Sequence, residues 1–328
     1  MTDQQQALDR VVAVVNGKGG VLKTSVVANV GGWLASQGMR ILLVDLDPQG
    51  NLVFDLGLVD HEADDLGKSV IDAVWSGEPL KVLRDVRPNL DVVFGGSALD
   101  MLASLTYNRM FNKEDTGGVP AAFAKALAAL ADDAGDGDGQ PYDLILLDCP
   151  PRSIEIQDMA LRAARWVVVP TRTDDASLEG LRGVGPRVAR ARNDNPTLDW
   201  LGIVVTAHNK QATRILRETL ETLAEVSSKL PPFETVIRHS EATARDARSS
   251  GRLAFELANA TEAGRAERLK ALSDRRRRSD NVIFLPEIPP ALSETSGPLA
   301  EDYARLAHEM CKRITTAETA REATGEAR

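Results

Sequence analysis

The chain has 328 residues, 43% of them hydrophobic and 27% charged, with a formal net charge of −9. This length and composition suit a large folded core, and the sequence has no run of about 18 apolar residues that would span a membrane. The acidic balance excludes a protein coated uniformly in positive charge, so any contact with nucleic acid must come from local basic patches.

The first predicted elements are a strand, a glycine-rich loop and a helix. The apolar run Val11–Val15 predicts a buried strand, and the helix is predicted from Lys23 to Gln37, with Gly38 ending it. In such a loop the backbone N–H groups converge and the helix N-terminus adds partial positive charge, which suits a phosphate. The residues expected to bind nucleotide here are Gly17, Lys18, Gly19, Gly20, Val21, Leu22, Lys23, Thr24 and Ser25.

Two lysines lie in this loop, where an ordinary phosphate-binding loop needs one. We expect Lys23 to reach the β- and γ-phosphates of ATP and the Thr24 hydroxyl to ligate Mg²⁺. Lys18 precedes Lys23 by five residues. One lysine for the protein's own nucleotide and another for a partner's nucleotide predicts a homodimer with ATP at the interface.

Further apolar runs alternate with helical stretches along the chain. They are Ile41–Val44, Leu90–Phe94, Leu144–Leu147, Trp166–Val169, Leu201–Val205 and Thr235–Ile237. Continuous apolar strands separated by helices are typical of a parallel sheet that helices cover on both faces. We therefore predict an α/β fold of the P-loop NTPase type, with a mostly parallel, twisted sheet.

Three aspartates stand at the carboxyl ends of predicted strands. Asp45 and Asp47 follow the second strand, and Asp148 follows the strand Leu144–Leu147. Ligands of open α/β sheets bind at this end of the strands, so the three carboxylates are expected to converge on the phosphates and Mg²⁺. The alternative is that each of them only caps the helix that follows.

These motifs resemble the ParA/MinD family of deviant Walker A ATPases. The matching segments are Lys18–Thr24, Ile41–Asn51 and Tyr142–Pro151, the last of which is similar to the family's Walker B segment. About ten residues precede the first strand, as in the short, Soj-like ParA partition proteins. The chain departs from the family at Leu22, where glycine is usual. We interpret Leu22 either as a tolerated variant or as a sign of weak nucleotide binding or slow hydrolysis.

The resemblance implies a role for each polar residue of the site. Lys18 and Lys23 neutralise phosphate charge, and Lys18 crosses to the ATP of the other subunit. Asp47 holds the attacking water. Asp45 supports the magnesium shell, and Asp148 holds a magnesium-bound water.

Recognition of the base is less clear from the sequence. Family members contact the base through residues that follow the fifth and seventh strands. The candidates here are Thr206 and the turn Ile237–His239, which includes Arg238. Because relatives often have proline at the position of Arg238, this residue is a departure from the family pattern.

Three basic groups in the C-terminal half are candidates for DNA contact. The first lies on one helical face, the second lies where ParA relatives place DNA-contacting arginines, and the third lies in a basic stretch further on. Their members are Lys210, Arg214 and Arg217; Arg245, Arg248 and Arg252; and Arg275, Arg276, Arg277 and Arg278. No aromatic residues interleave with them, so we expect phosphate contacts that ignore base sequence and weaken with salt. Such runs are also typical of a plain solvated surface.

The predicted organisation has four parts. Residues 1–257 form the ATPase domain, and residues 258–296 form a basic, proline-containing insert. A C-terminal helix over residues 297–314 packs on the same domain, and residues 315–328 form a flexible tail.

The resemblance implies a cytoplasmic, nucleoid-associated partition ATPase. ATP-bound dimers bind double-stranded DNA non-specifically, and a ParB-type centromere-binding protein stimulates weak hydrolysis, which segregates plasmid, phage or chromosomal DNA. Two alternatives within the family stay open, namely the positioning of a non-DNA cargo and a MinD-like membrane cycle. The membrane cycle is disfavoured because residues 315–328 contain no leucine, isoleucine, valine or aromatic residue to insert into lipid.

Overall fold

The computed structural model describes residues 7–102, 104, 106, 118–132, 141–209, 213–226, 230–263 and 295–324. Lys210 and most of the predicted insert, including Arg275–Arg278, lie outside the described residues. Among the residues described, no helix is both long enough and apolar enough to cross a membrane.

The described strands join in one eight-stranded sheet. They are β1 (Val11–Val14), β2 (Ile41–Asp45), β3 (Leu83–Arg87), β4 (Leu90–Val93), β5 (Leu144–Asp148), β6 (Trp166–Thr171), β7 (Asp199–His208) and β8 (Pro232–Arg238). Their order across the sheet is β3-β4-β2-β5-β1-β6-β7-β8. All neighbours are parallel except β3 and β4. The predicted mostly parallel sheet is confirmed.

Helices follow most of the strands and cover both faces of the sheet. They are α1 (Lys23–Ser36), α2 (Leu52–Leu56), α3 (Lys68–Ser76), α4 (Gly118–Asp132), α5 (Ile154–Arg162), α6 (Asp175–Ala191), α7 (Thr213–Val226), α8 (Glu241–Ser250), α9 (254–263) and α10 (Ser296–Thr324). Helix α1 begins at Lys23 as predicted, and Gly38, just past its end, has a φ of +91°. That left-handed conformation suits glycine, which is why the helix stops there.

The core consists of two apolar layers, one on each face of the sheet. Ala13 and Leu42 pack in the layer formed with α3, α4, α5 and α6, whereas Val12 and Leu43 pack in the layer formed with α1 and α10. Side chains alternate between the two faces along a strand, so a strand buried on both sides must be apolar throughout. This packing places the carboxyl ends of β1, β2 and β5 side by side at one edge of the sheet.

Strand β3 was not predicted from the sequence. Its residues, Leu83–Arg87, include charged side chains and are only partly buried. It pairs antiparallel with β4, and Arg84 forms an ion pair of 3.0 Å with the buried Asp91. Charged residues suit a strand at the edge of a sheet, so the apolar run that marks the other strands is missing here.

The C-terminal helix requires a correction to the predicted organisation. Helix α10 continues through residues 315–324, which we expected to begin a flexible tail. Ala317 packs against the apolar core, and Arg321 lies close to Asp9, where its charge opposes the rise in the Asp9 pKa that burial causes. These contacts extend the helix although its sequence is polar.

Side chains of α10 also cover the outer edge of β8. Glu309 accepts hydrogen bonds from two backbone N–H groups of the strand, at 2.9 and 3.1 Å, and Asp302 accepts a third at 3.0 Å. Arg313 donates to two carbonyl groups at the beginning of β8. One helix, rather than another strand, therefore supplies the partners of these N–H and carbonyl groups.

Candidate active site

The glycine-rich loop between β1 and α1 is fastened at both ends. At its beginning, the buried Asn16 donates from Nδ2 to the carbonyl of Pro170 at 2.8 Å and accepts the N–H of Lys18 at Oδ1. Near its end, the Thr206 hydroxyl lies 3.0 Å from the carbonyl oxygen of Val21 and 3.1 Å from that of Thr171. The ends of β6 and β7 thereby position the loop.

Leu22 is the N-cap of α1 and adopts the left-handed backbone conformation, with φ +62° and ψ +30°. This is the conformation in which glycine is favoured, and it costs a residue with a side chain about 1 kcal/mol. Its carbonyl accepts the N–H of Val26 at 2.9 Å, so the first turn of α1 is formed nonetheless. The first turn of α1 therefore forms with leucine in a conformation that glycine adopts at lower cost.

The two lysines of the loop occupy different environments. Lys23 is buried, and its ammonium donates to the carbonyl of Lys18 at 3.0 Å. Burial lowers the pKa of Lys23, and the negative charges of Asp148 and Asp47 oppose that shift. Lys18 instead extends to the surface, where its ammonium forms an ion pair of 2.6 Å with Asp174 at the N-cap of α6.

Asp148 has the properties of a ligand for a cation. It lies opposite Asp45 in the parallel register of β5 and β2. Both of its carboxylate oxygens are buried without a hydrogen-bond partner among the described residues. Burial raises its pKa to about 7, while the nearby Thr24 hydroxyl and Lys23 ammonium oppose the rise. Unsatisfied carboxylate oxygens beside a hydroxyl are oxygen donors of the kind that Mg²⁺ prefers, so these residues fit that ion.

Asp45 at the end of β2 and Asp47 just after it are both buried, but their oxygens accept different hydrogen bonds. Each oxygen of Asp45 accepts a backbone N–H, that of Asp47 at 2.8 Å and that of Leu52 at 3.2 Å. Burial and the charge of Asp148 raise the pKa of Asp45. Asp47 uses Oδ1 to accept the N–H of Gln49 at 2.9 Å. The hydrogen bonds of Asp45 thus hold the backbone of the loop that carries Asp47. The role of Asp45 in the magnesium shell remains a prediction.

The residues predicted to contact the base are engaged in contacts within the protein. The fully buried Thr206 fastens the loop as described above. The side chain of Arg238 forms a paired hydrogen bond with the buried Asp302 and borders a cavity of about 440 Å³ that His208 and Arg305 also line. The contacts observed for Thr206 and Arg238 are structural, and base recognition by them remains a prediction.

The predicted basic groups differ in how far their charge is neutralised. Arg214 and Arg217 of α7 are exposed, but each forms an ion pair one helical turn away, with Glu218 and Glu221 respectively. On α8 and just after it, Arg245, Arg248 and Arg252 are all exposed to solvent, and Arg248 lies 3.6 Å from a carboxylate oxygen of Asp55. These three exposed guanidinium groups form a cluster of positive charge beside α8.

The structure adds two residues that sequence reasoning missed. Asp174 holds Lys18, and its position at a helix N-cap is visible in the sequence only as a common capping signal. Gly180 packs against the loop so closely that a methyl group added there would lie 2.5 Å from Oδ1 of Asn16. Nothing in the local sequence around Gly180 indicates that contact, because the loop is distant along the chain.

The fold and this loop define a P-loop ATPase of the α/β class. The AAA_31 family model, an AAA domain, matches residues 9–199. The chain is 34% identical to the chromosome-partitioning ATPase Soj of Thermus thermophilus, over 70% of this chain and 80% of that protein. It is 32% identical to the chromosome partitioning protein ParA of Caulobacter vibrioides, over 62% of this chain and 71% of that protein.

Solved structures agree with this class. Cobyrinic acid a,c-diamide synthase from Mycobacterium smegmatis, with bound ADP and magnesium, is 31% identical with a TM-score of 0.57, covering 74% of this chain and 92% of that one. The cell division ATPase MinD of Pyrococcus furiosus shares the fold, with 21% identity and a TM-score of 0.59 over 93% of this chain and 99% of that one. The chain belongs to the ParA/MinD family of P-loop ATPases and is similar to its Soj-like members.

Proposed function

We propose that the protein is a ParA-type partition ATPase that binds ATP with Mg²⁺, dimerises around the nucleotide and binds DNA without sequence preference. The separation of the two loop lysines carries this proposal. Lys23 is buried beside Asp148, whereas Lys18 lies at the surface in an exposed ion pair. A surface lysine on a phosphate-binding loop is free to serve a second subunit once it leaves Asp174.

Different residues of the site have different roles in phosphoryl transfer to water. Thr24 and Asp148 would hold Mg²⁺, which when bound neutralises charge on the β- and γ-phosphates. Lys23 contributes a fixed positive charge to the same phosphates. Asp47 accepts a hydrogen bond from the attacking water and orients it, because its carboxylate is presented at the carboxyl end of β2 beside the phosphate loop.

The DNA-binding surface of the proposed function centres on α8. Arg245, Arg248 and Arg252 supply exposed guanidinium groups, and such groups bind phosphates irrespective of base sequence. The basic stretch Arg275–Arg278 would extend this surface. The partition names of the Soj and ParA relatives support DNA as the cargo, and by the same resemblance a ParB-type partner stimulates hydrolysis on the nucleoid in the cytoplasm.

Binding to random-sequence duplex DNA tests this function. We expect the wild-type protein to bind with ATP–Mg²⁺ but weakly with ADP–Mg²⁺ or without nucleotide, and to lose affinity steeply as salt is raised. In a plot of log affinity for DNA against log salt concentration, the double variant Arg245→Gln/Arg252→Gln should reduce the steepness of the slope by about two. Each lost phosphate contact reduces it by about one. The matched variant Arg214→Gln/Arg217→Gln should reduce the slope less. Binding that is absent, or indifferent to nucleotide, would contradict the DNA part of the proposal.

Replacing Asp174 with asparagine is expected to favour the ATP-bound dimer. Asparagine retains an acceptor for the N–H of Ser177 but loses the charge that holds Lys18. An exposed ion pair contributes little, so we expect the dimer dissociation constant to fall about two- to five-fold. Sedimentation velocity with a non-hydrolysable ATP analogue measures it. Asp199→Asn, which breaks another exposed ion pair, with Arg192, is the control, and equal behaviour of the two variants would count against a restraining role for Asp174.

A further inference from the structure

Asp55 in α2 is a buried carboxylate that the proposed chemistry does not use. It accepts a hydrogen bond from the Ser25 hydroxyl at 3.1 Å, and its other oxygen lies 3.6 Å from Nε of Arg248. Ser25 follows Thr24 in the first turn of α1, and Arg248 is an exposed residue of α8. One buried side chain therefore contacts both the nucleotide loop and the helix that carries the exposed arginines.

The beginning of α2 is attached to the catalytic loop. Asp45 accepts the N–H of Leu52, the first residue of α2, with one oxygen, and the N–H of Asp47 with the other. Asp45 therefore links the backbone of Asp47 to the beginning of α2. Asp55 lies one helical turn further along α2, so a movement of Asp47 on nucleotide binding would be transmitted to it.

The end of α2 is fastened to the end of α8. Gly57 and Gly251 both have left-handed backbones, and a methyl group added to Gly251 would lie 2.2 Å from Cα of Gly57. Arg87 donates to the carbonyl of Leu56 at 3.1 Å and to that of Gly251 at 2.9 Å, and it pairs with Glu256 at 2.7 Å. The backbones are in contact and share one guanidinium, so the end of α2 is joined to the end of α8.

The contact of Ser25, Asp55 and Arg248 has room to rearrange. A cavity of about 190 Å³ lies beside it and is lined by these three residues together with Leu22 and Tyr303. The Ser25 hydroxyl has one proton to donate. When it donates that proton to a nucleotide phosphate, Asp55 loses this hydrogen bond and retains Arg248. The carboxylate then interacts more strongly with Arg248, which alters how α8 is held.

We propose that Asp55 relays the state of the nucleotide site to α8, so that ATP binding orders the arginines of this helix for contact with DNA phosphates. The inference rests on the proposed function and adds the residue that couples its two binding events. Asp55 is a positioning residue in this role, since it acts through Ser25 and Arg248. Coupling of this kind is measured as the ratio of the DNA affinity with ATP–Mg²⁺ to the DNA affinity without it.

The test compares the Asp55→Asn variant with wild type in DNA binding with and without ATP–Mg²⁺. Removing a negative charge raises affinity for DNA in both states, so the informative quantity is the ratio of the two dissociation constants. We expect that ratio to fall about five-fold or more, with affinity for a fluorescent ATP analogue close to wild type. Asp91→Asn is the matched control, because Asp91 is an equally buried carboxylate that bonds Arg84 and Tyr142 instead.

The outcomes separate the relay from the proposed function. If wild type shows no nucleotide dependence in DNA binding, both proposals are overturned. If wild type shows it and Asp55→Asn retains the full ratio, only the relay is overturned. Should Asp55→Asn fail to fold, hydrogen exchange of the wild-type protein decides the matter. Residues 241–250 must gain protection together with residues 52–56 when the ATP analogue binds, and protection confined to residues 52–56 would refute the relay.

Discussion

Replacing Asp47 with asparagine is expected to lower ATP turnover by about 100-fold or more while ATP binding stays close to wild type. Asparagine has the same shape and still accepts the N–H of Gln49, so the loop after β2 keeps its conformation. It loses the negative charge that, in the proposed mechanism, orients the attacking water. Phosphate release at saturating ATP measures turnover, and displacement of a fluorescent ATP analogue measures binding.

The control for this variant is Asp72→Asn. Asp72 pairs with Lys68 at the surface of α3, so the change removes one carboxylate without touching the site. Turnover of Asp72→Asn should match wild type. Wild-type turnover in Asp47→Asn would contradict the assigned role of Asp47, and a joint loss of turnover and binding would show that it holds the loop rather than the water.

Replacing Asp302 with asparagine is expected to lower the free energy of unfolding by about 3 kcal/mol. Asp302 is buried and accepts hydrogen bonds from the Arg238 side chain, the Arg238 backbone N–H and Arg305. Without the carboxylate, the largely buried Arg238 guanidinium keeps its charge and loses its partner. Urea denaturation at pH 7 gives the difference. The double variant Asp302→Leu/Arg238→Met should lose less than the single variant, since it leaves no charge unpaired.

The same pair predicts a dependence of stability on pH. Burial disfavours the charged form of Asp302, but the hydrogen bonds from Arg238 and Arg305 outweigh it and hold the pKa below the ordinary value. A depressed carboxyl pKa stabilises the folded state above the ordinary value of about 4, and this contribution disappears as the pH falls through the lower pKa of the folded state. The difference between wild type and Asp302→Asn should therefore shrink below pH ~4. A difference that stays constant with pH would contradict the assignment.

The sequence predicted the parts of this molecule that follow from local patterns. Strands β1, β2, β4, β5 and β6 begin where their apolar runs begin, whereas β7 and β8 begin two and three residues before theirs. Helix α1 starts at Lys23 because a glycine-rich loop precedes it. The environment of Asp148 also follows from its place at the end of an apolar strand, since parallel strands bring their carboxyl ends together. These features depend on periodicity and on residues close together in the chain.

The remaining features depend on contacts between distant residues. Thr206 has the right position for a base contact by resemblance, but its hydroxyl lies against the carbonyl oxygens of Val21 and Thr171. Arginine is usually exposed to solvent, yet α10 places the buried Asp302 in contact with Arg238. In both cases the contacting residue is far away in the sequence, so no local sequence pattern predicts the contact.

The covered edge of β8 bears on how this protein associates. An open sheet edge is a template on which further copies of a chain add strand by strand, and growth of that kind forms fibres. Here Glu309, Asp302 and Arg313 occupy the hydrogen-bonding groups that such growth would use at this edge. The proposed function places many copies of the protein close together along DNA, and the covered edge of β8 disfavours fibre growth between those copies. Association through the nucleotide site, as we propose, would instead reverse when the nucleotide is hydrolysed.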